Sequence, residues 1–540
     1  MKTFPLPENK AIYLLYPWVL AGLALRLWRV SLQLVMFRDE TTYAYQIKHV
    51  LDGTIFSDAT YFTFPPAYPL LAAPFALVTG DPELAGRLVT SLAGAATAIP
   101  VYYLSRDLFG EKAAAVAAAV TALFPPLMGI GVMAEQTYGF FVALGIYLAY
   151  RALASGRARD GLYFGLAMAA AYLSRPEGFF IFLPCLAVMM VVMLRDKAAK
   201  HRIPALAGAA LAGFFILALP YMVQLRMHFG AWEISGKTRI NLAKAKASET
   251  LRPDEDIEEK AAQVYDELEK KQGSVGQNVL GEMGAIMKRY PGNLAAEFTS
   301  LPAIAGYPLI LAFMTGAGFA LAGPGRLRRL GVITTALTPL FVIPAVFVMD
   351  RILVPYIPVI IIIASNGAAR LAEYAGSKAK DITGKDVAAP AAGVMGAFLF
   401  LGNFGGMLPE TDTMKVLEAD ESYGYYFTLR QVAEECGPLV KPGGKMITRN
   451  NISAYYAGAE YLPIPYADLD GLVKYARENG ARYLFFGPLE QDMRPQLMPA
   501  FFQSEDMPRS SVGGGAFRLV YFKDYFLLYE FVDGKGYTER

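Results

Sequence analysis

The stretch ATYFTFPPAYPLLAAPFALVTG, residues 59–80, is uncharged and as long as a membrane-crossing helix, so the orientation of the whole chain turns on whether it crosses. Pro65, Pro66, Pro69 and Pro74 break the hydrogen bonding a spanning helix needs, and the stretch reads as a re-entrant or interfacial segment. A span here would also reverse every later loop.

Uncharged runs recur at 11–25, 88–105, 113–134, 136–150, 161–174, 178–194, 203–225, 298–325, 330–349, 352–369 and 387–409. Each is near the roughly 20 residues that cross the hydrocarbon, the shortest by letting flanking arginines snorkel. The first run lacks a small-x-small cleavage site and reads as a helix rather than a signal peptide. The expected fold is a polytopic α-helical membrane protein with about eleven spans, as many as 13 if short segments also cross.

Lysine and arginine set the orientation. With residues 59–80 outside the count, one side carries Lys2 and Lys10; Arg106 and Lys112; Arg151, Arg157 and Arg159; Arg195, Lys197, Lys200 and Arg202; Arg326, Arg328 and Arg329; and Arg370, Lys378, Lys380 and Lys385. The short loops opposite carry Arg175 and Arg351 alone. This bias places the N-terminus in the cytoplasm. Loops 31–86 and 226–297, and everything after residue 409, then lie outside.

Composition agrees with a membrane protein. Of 540 residues, 54% are hydrophobic and 18% charged, against roughly 25% charged in soluble domains. A net charge of +2 gives no field for nucleic acid, which is excluded as a partner. Cys185 and Cys436 cannot form a disulfide framework, and His49, His201 and His228 are scattered, so no metal constellation is visible.

Residues 1–409 thus read as a transmembrane module, with PDEDIEEKAAQVYDELEKK a solvated amphipathic helix in its second outer loop. Residues 410–540 change character, with short apolar strands between helices. DLDGLVKYARENGARYLFFG reads as a helix ending at Gly480 before a strand, and FRLVYFKDYFLLYEF as a closing hairpin. A soluble extracytoplasmic α/β domain is expected.

MFRDETTYAYQ, residues 36–46, puts Arg38, Asp39 and Glu40 at the outer membrane surface. Charges there ordinarily solvate a helix end, and the alternative is a catalytic carboxylate at the lipid boundary. The surrounding order favours the alternative. LDGTIFSD and TFPPAYPLL follow, then Arg87 in AGRLVTSLAG, MAEQTYGFF, YLSRPEGFF, HFGAWEISGKTRINL and MDRILVPYIPVI.

This order and spacing resemble the C-type (GT-C) glycosyltransferases, in particular the bacterial relatives of protein O-mannosyltransferases and of the lipid A aminoarabinose transferase. The likeness covers most of residues 11–405. It implies transfer of a sugar, with inversion, from a polyprenyl-phosphate carrier to a lipid, glycan or protein acceptor on the extracytoplasmic face. Asp39 matches the family's aspartate, which takes the acceptor's proton, with Glu40 beside it. Glu135 matches a cavity-facing acid that orients the acceptor or a nearby cation; its alternative role is a helix cap.

The departing phosphate needs positive charge, for which Arg87 is the first candidate and Arg175, Lys237 and Arg351 the others. Each reads alternatively as an interfacial anchor that snorkels. Tyr43, Tyr68 and Glu177 complete the implied substrate-binding set, Glu177 also being readable as a salt-bridged turn. Some relatives use a divalent cation beside the equivalent carboxylates. No complete ligand set is visible here, so activity in chelator is expected.

DLD at Asp468–Asp470 reads as a helix cap rather than a nucleotide-sugar metal motif, DED at Asp254–Asp256 as solvated charge, and VGGGAF lacks the context of a phosphate cradle. The competing reading of the chain is a lipid or polysaccharide transporter or flippase. An outer soluble domain and charges gathered at one membrane face speak against it.

Overall fold

The computed structural model describes residues 13–57, 62–195, 200–237, 283–322, 326–345, 350–383, 388–399, 411, 415, 421–465, 467–493, 497–504 and 507–532. The expected helix at residues 253–271 and most of loop 226–297 lie outside the described residues. The chain divides into two compact units, Met1–Ser31 with Gln46–Pro409, and Leu32–Tyr45 with Glu410–Arg540. The boundary between them falls inside one helix, Arg38–Leu51, after Tyr45.

The first unit is helical. Five described helices are long and apolar enough to cross a membrane: Pro82–Phe109, Glu135–Ser155, Glu177–Arg195, Lys200–Phe229 and Arg351–Ile382. A sixth exists if the pair Met287–Ala305 and Tyr307–Leu321, bent by 110°, counts as one. Several of the eleven apolar runs fold as shorter pieces. Run 113–134 is helical only to Leu123, because Pro125 and Pro126 open a 3-10 turn. The opening stretch forms a helix at Ala67–Thr79, closed by Gly80 with φ 69°. Thirteen residues at about 1.5 Å each reach about 20 Å, short of a roughly 30 Å hydrocarbon core.

Helices in this unit approach closely where glycine replaces a side chain. A Cβ on Gly316 would lie 1.9 Å from the Ile363 carbonyl, and one on Gly165 would lie 2.0 Å from that of Ala210. Small residues let backbones meet when lipid supplies no hydrophobic drive between helices.

Arg26, in the helix Tyr16–Leu32, is wholly buried. Its guanidinium donates to the carbonyls of Gly22 at 3.0 Å, Ala122 at 2.8 Å and Leu127 at 2.9 Å. The last two lie at the end of the helix Glu111–Leu123 and just beyond it, where carbonyls lack helical partners and the helix dipole is negative.

The second unit holds a six-stranded sheet in the order β2-β1-β3-β8-β7-β6, with β1 Lys445–Thr448, β2 Glu460–Pro463, β3 Ala481–Phe486, β6 Ser511–Val512, β7 Phe517–Lys523 and β8 Phe526–Phe531, and a separate antiparallel pair of β4 Phe502–Ser504 and β5 Met507–Pro508. β1 pairs in parallel with both β2 and β3, whereas β8, β7 and β6 run antiparallel. The helix Leu469–Asn479 starts with Asp468 accepting from the Gly471 amide at 2.9 Å and ends at Gly480, as DLD and its glycine suggest. β7 and β8 form the expected hairpin, its two-residue turn Asp524–Tyr525 at φ 49° and 64°.

Buried Glu490 joins the ends of β1 and β3, its two oxygens accepting the Arg449 and Gly487 amides at 3.2 and 3.1 Å. Burial pushes its carboxyl above the usual range, against the pull of those amides and of Arg449. A folded-state pKa above the unfolded one favours folding below the unfolded value, and that advantage is lost as pH rises through the folded value.

Two outcomes follow. Arg26→Met, which leaves the Ala122 and Leu127 carbonyls without a donor, lowers stability by on the order of 2 kcal/mol in detergent denaturation. Between pH 5 and pH 8, Glu490→Gln gains thermal stability relative to wild type, because only the wild type acquires a buried charge; equal pH dependence in both proteins would contradict this.

Candidate functional site

Three helix ends meet around Arg175. The helix Ala158–Ser174 stops as Arg175 turns extended, with φ −149° and ψ 138°, and Pro176 separates it from the helix starting at Glu177. The helix Glu135–Ser155 begins beside them with Glu135 in its first turn. Acids at two helix N-termini are favoured by the macrodipoles there.

Arg175 joins these ends. Its Nη2 donates to Glu177 Oε1 at 2.9 Å and its Nε to Oε2 at 3.4 Å, a two-pronged grip, while Nη1 pairs with Glu135. All three side chains are largely withdrawn from solvent. Lys237 is close enough to act on the Glu177 charge, and its ammonium stands 4.7 Å from the centre of the Phe64 ring. The four charges balance.

The other Glu135 oxygen, Oε2, is buried and has no hydrogen-bond partner among the described residues. As a carboxylate oxygen it can accept a hydrogen bond there.

Arg87 lies in the helix Pro82–Ala96 and pairs with Glu83 one turn earlier. Asp81 caps this helix, accepting from Glu83 and Leu84 amides at 2.8 and 3.3 Å. The Glu83–Arg87 pair has the i,i+4 spacing that puts two side chains on one helix face. Tyr68 is fully buried, its hydroxyl donating to the Gly86 carbonyl at 2.8 Å and meeting Thr90 Oγ1 at 2.9 Å. This hydroxyl secures the backbone next to Arg87. Arg351 is exposed, on the short helix Asp350–Leu353.

Asp39, Glu40 and Tyr43 belong to the other unit. Asp39 and Glu40 occupy the first turn of the helix Arg38–Leu51, where its dipole favours anions. Glu40 and Tyr43 are buried, and Asp39 is half-buried. Among the described residues, no three His, Cys, Asp or Glu gather to hold a metal ion.

Residues 63–223 match the family described as dolichyl-phosphate-mannose-protein mannosyltransferase. Tyr68, Arg87, Glu135, Arg175 and Glu177 fall inside that match, and Asp39 precedes it. In fold, the chain is similar to ArnT from Cupriavidus metallidurans. The likeness holds for the apo state, with TM-score 0.59, and for the structure bound to undecaprenyl phosphate, with TM-score 0.57. Each shares 14% identity over 95% of this chain and 98% of the other.

The chain is also similar to the archaeal oligosaccharyltransferase AglB from Archaeoglobus fulgidus, solved with an inhibitory peptide and a dolichol-phosphate. There identity is 12% and the TM-score 0.52, over 88% of this chain and 70% of that one. No curated protein matches in sequence. These likenesses show a fold shared with ArnT and AglB.

Removing Arg175 leaves two carboxylates together without their cation. Arg175→Met is expected to destabilise the protein by roughly 3–5 kcal/mol, and Glu135→Gln in the same chain to recover part of that loss. Thermal unfolding of the single and double variants gives a coupling of about 1–3 kcal/mol.

Proposed function

We propose that the protein is an inverting glycosyltransferase that moves a sugar from a polyprenyl-phosphate carrier to a lipid, glycan or protein acceptor outside the cytoplasmic membrane. The observation that carries this reading is the likeness of fold over nearly the whole chain to ArnT, which is solved with undecaprenyl phosphate bound. The mannosyltransferase-family match over residues 63–223 supports it.

Asp39 is the base in this reading. The acceptor oxygen attacks the anomeric carbon from the face opposite the phosphate, Asp39 takes its proton, and the bond from carbon to phosphate oxygen breaks to release the polyprenyl phosphate. Glu40 stands beside Asp39 in the chain, and buried Tyr43 follows one turn later in the same helix.

Arg87 meets the phosphate charge, with Arg351 a further cation. The Arg175 guanidinium, already gripped by two acids, orients Glu135 and Glu177 rather than offering a free positive charge. Glu135 Oε2 receives a substrate hydroxyl. Lys237 supplies the cation that balances Glu177, and Tyr68 keeps the backbone at Gly86, and so Arg87, in place.

The membrane arrangement proposed with this chemistry has about eleven crossings, a cytoplasmic N-terminus, and residues 410–540 outside as an α/β domain. No step runs through a metal ion, and transfer is expected to persist in EDTA.

The test uses purified protein in detergent, a panel of polyprenyl-phosphate sugars, and lipid, glycan and peptide acceptors, with free polyprenyl phosphate as the readout. Wild type releases it from at least one donor, and Asp39→Asn lowers the rate by on the order of 100-fold or more. Folded wild type that releases nothing from any donor would shift the reading to a transporter.

A further inference from the structure

Residues 32–45 are separated from residue 410 by most of the chain, yet they form one compact unit with residues 410–540. The contacts that hold them there surround Asp39. On its N-terminal side, the Leu34 amide donates to the Tyr423 hydroxyl at 3.0 Å, and Arg430 Nη1 donates to the Leu34 carbonyl at 2.6 Å. The Phe37 ring lies against Tyr423 and edge-on to Tyr426, with centroids 5.8 and 5.3 Å away.

On the C-terminal side, Asn451 Nδ2 donates to Thr42 Oγ1 at 2.9 Å. The Tyr45 hydroxyl donates to the Ala459 carbonyl at 3.0 Å, and its ring stands edge-on to Tyr455 at 5.3 Å.

These contacts come from the helix Glu421–Cys436, from the short helix Asn451–Tyr456 after β1, and from the residue just before β2. Residues 33–37, which lead into the helix Arg38–Leu51, have no regular structure. The partners of Leu34, Phe37, Thr42 and Tyr45 fix the segment on both sides of the first helical turn. A backbone held on both sides of one turn has little freedom in between, so the bond from Cα to Cβ of Asp39 takes its direction from the C-terminal unit.

We infer that the C-terminal unit is a positioning device for the catalytic turn, with Tyr423, Arg430 and Asn451 acting through Thr42 and the Leu34 peptide to aim Asp39. This rests on Asp39 being the base, as proposed above. It assigns residues 410–540 a part in the chemical step. The three residues never touch substrate in this scheme. General-base catalysis depends steeply on the distance from carboxylate to hydroxyl, and a displacement of about 1 Å can cost on the order of 100-fold in rate.

The test is kinetic, in the full chain, using whichever polyprenyl-phosphate sugar the release assay has identified. Thr42→Val keeps the shape of the side chain and removes the oxygen that Asn451 donates to; Thr42→Ser keeps the oxygen. Arg430→Met removes the donor to Leu34. Thr42→Val and Arg430→Met are each expected to lower kcat by about 10- to 100-fold with KM for the donor within twofold of wild type. Thr42→Ser is expected to restore most of the rate. Hydrogen exchange should rise at residues 34–42 in Thr42→Val and not in Thr42→Ser.

A wild-type kcat in folded Thr42→Val and Arg430→Met overturns the inference. So does an equal loss in Thr42→Ser and Thr42→Val, which would mark Thr42 as a packing residue only. Asp39→Asn is run alongside. If it stays active, Asp39 is not the base and both the inference and the reading beneath it fall. If it is dead while the Thr42 and Arg430 variants are unimpaired, the inference alone fails.

Discussion

A charge withdrawn from water among apolar helices has to find its partners inside the protein, and Arg175 answers that constraint for the first unit. Its guanidinium grips Glu177 with two nitrogens and Glu135 with the third. To do so it needs the end of one helix and the beginnings of two others in one place. The convergence of those ends is therefore both a packing requirement and the source of a polar cluster. Arg26 solves the same problem differently, with carbonyls at a helix end in place of carboxylates. Neither charge can be removed without stranding buried polar groups.

The second unit applies the same rule to a sheet. Where β1 and β3 end, the ladder no longer pairs their backbones, and the buried Glu490 carboxylate takes up the Arg449 and Gly487 amides instead. Just beyond the end of β1, Asn451 turns its amide to Thr42. The polar end of the sheet thus supports a segment from the far N-terminal part of the chain. The turn that bears Asp39 is built from two distant stretches of sequence.

Much of this was readable in advance, wherever local chemistry decides the outcome. In residues 59–80, Pro65 and Pro66 stand before the helix Ala67–Thr79, which runs on through Pro69 and Pro74 where a break is expected, and Gly80 ends it in a left-handed conformation. Asp468 and Gly480 bound their helix as capping chemistry requires. Arg175 beside Glu177 was legible as a salt-bridged turn. The breaks inside apolar runs were harder to see, because hydropathy is blind to a bend such as the one of 110° between Ala305 and Tyr307.

The sequence by itself determined the apolar, membrane-protein character of most of the chain, the change of character near residue 410, and the helix caps. These follow from composition, periodicity and short-range backbone chemistry. Only the tertiary structure decided that Arg175 is shared with Glu135, forty residues away, that Tyr68 spends its hydroxyl on the Gly86 carbonyl, and that Asp39 belongs with residues from 410 onward. Such pairings depend on which helix ends and strand ends arrive together. Packing of the whole chain settles that, and no local spacing encodes it.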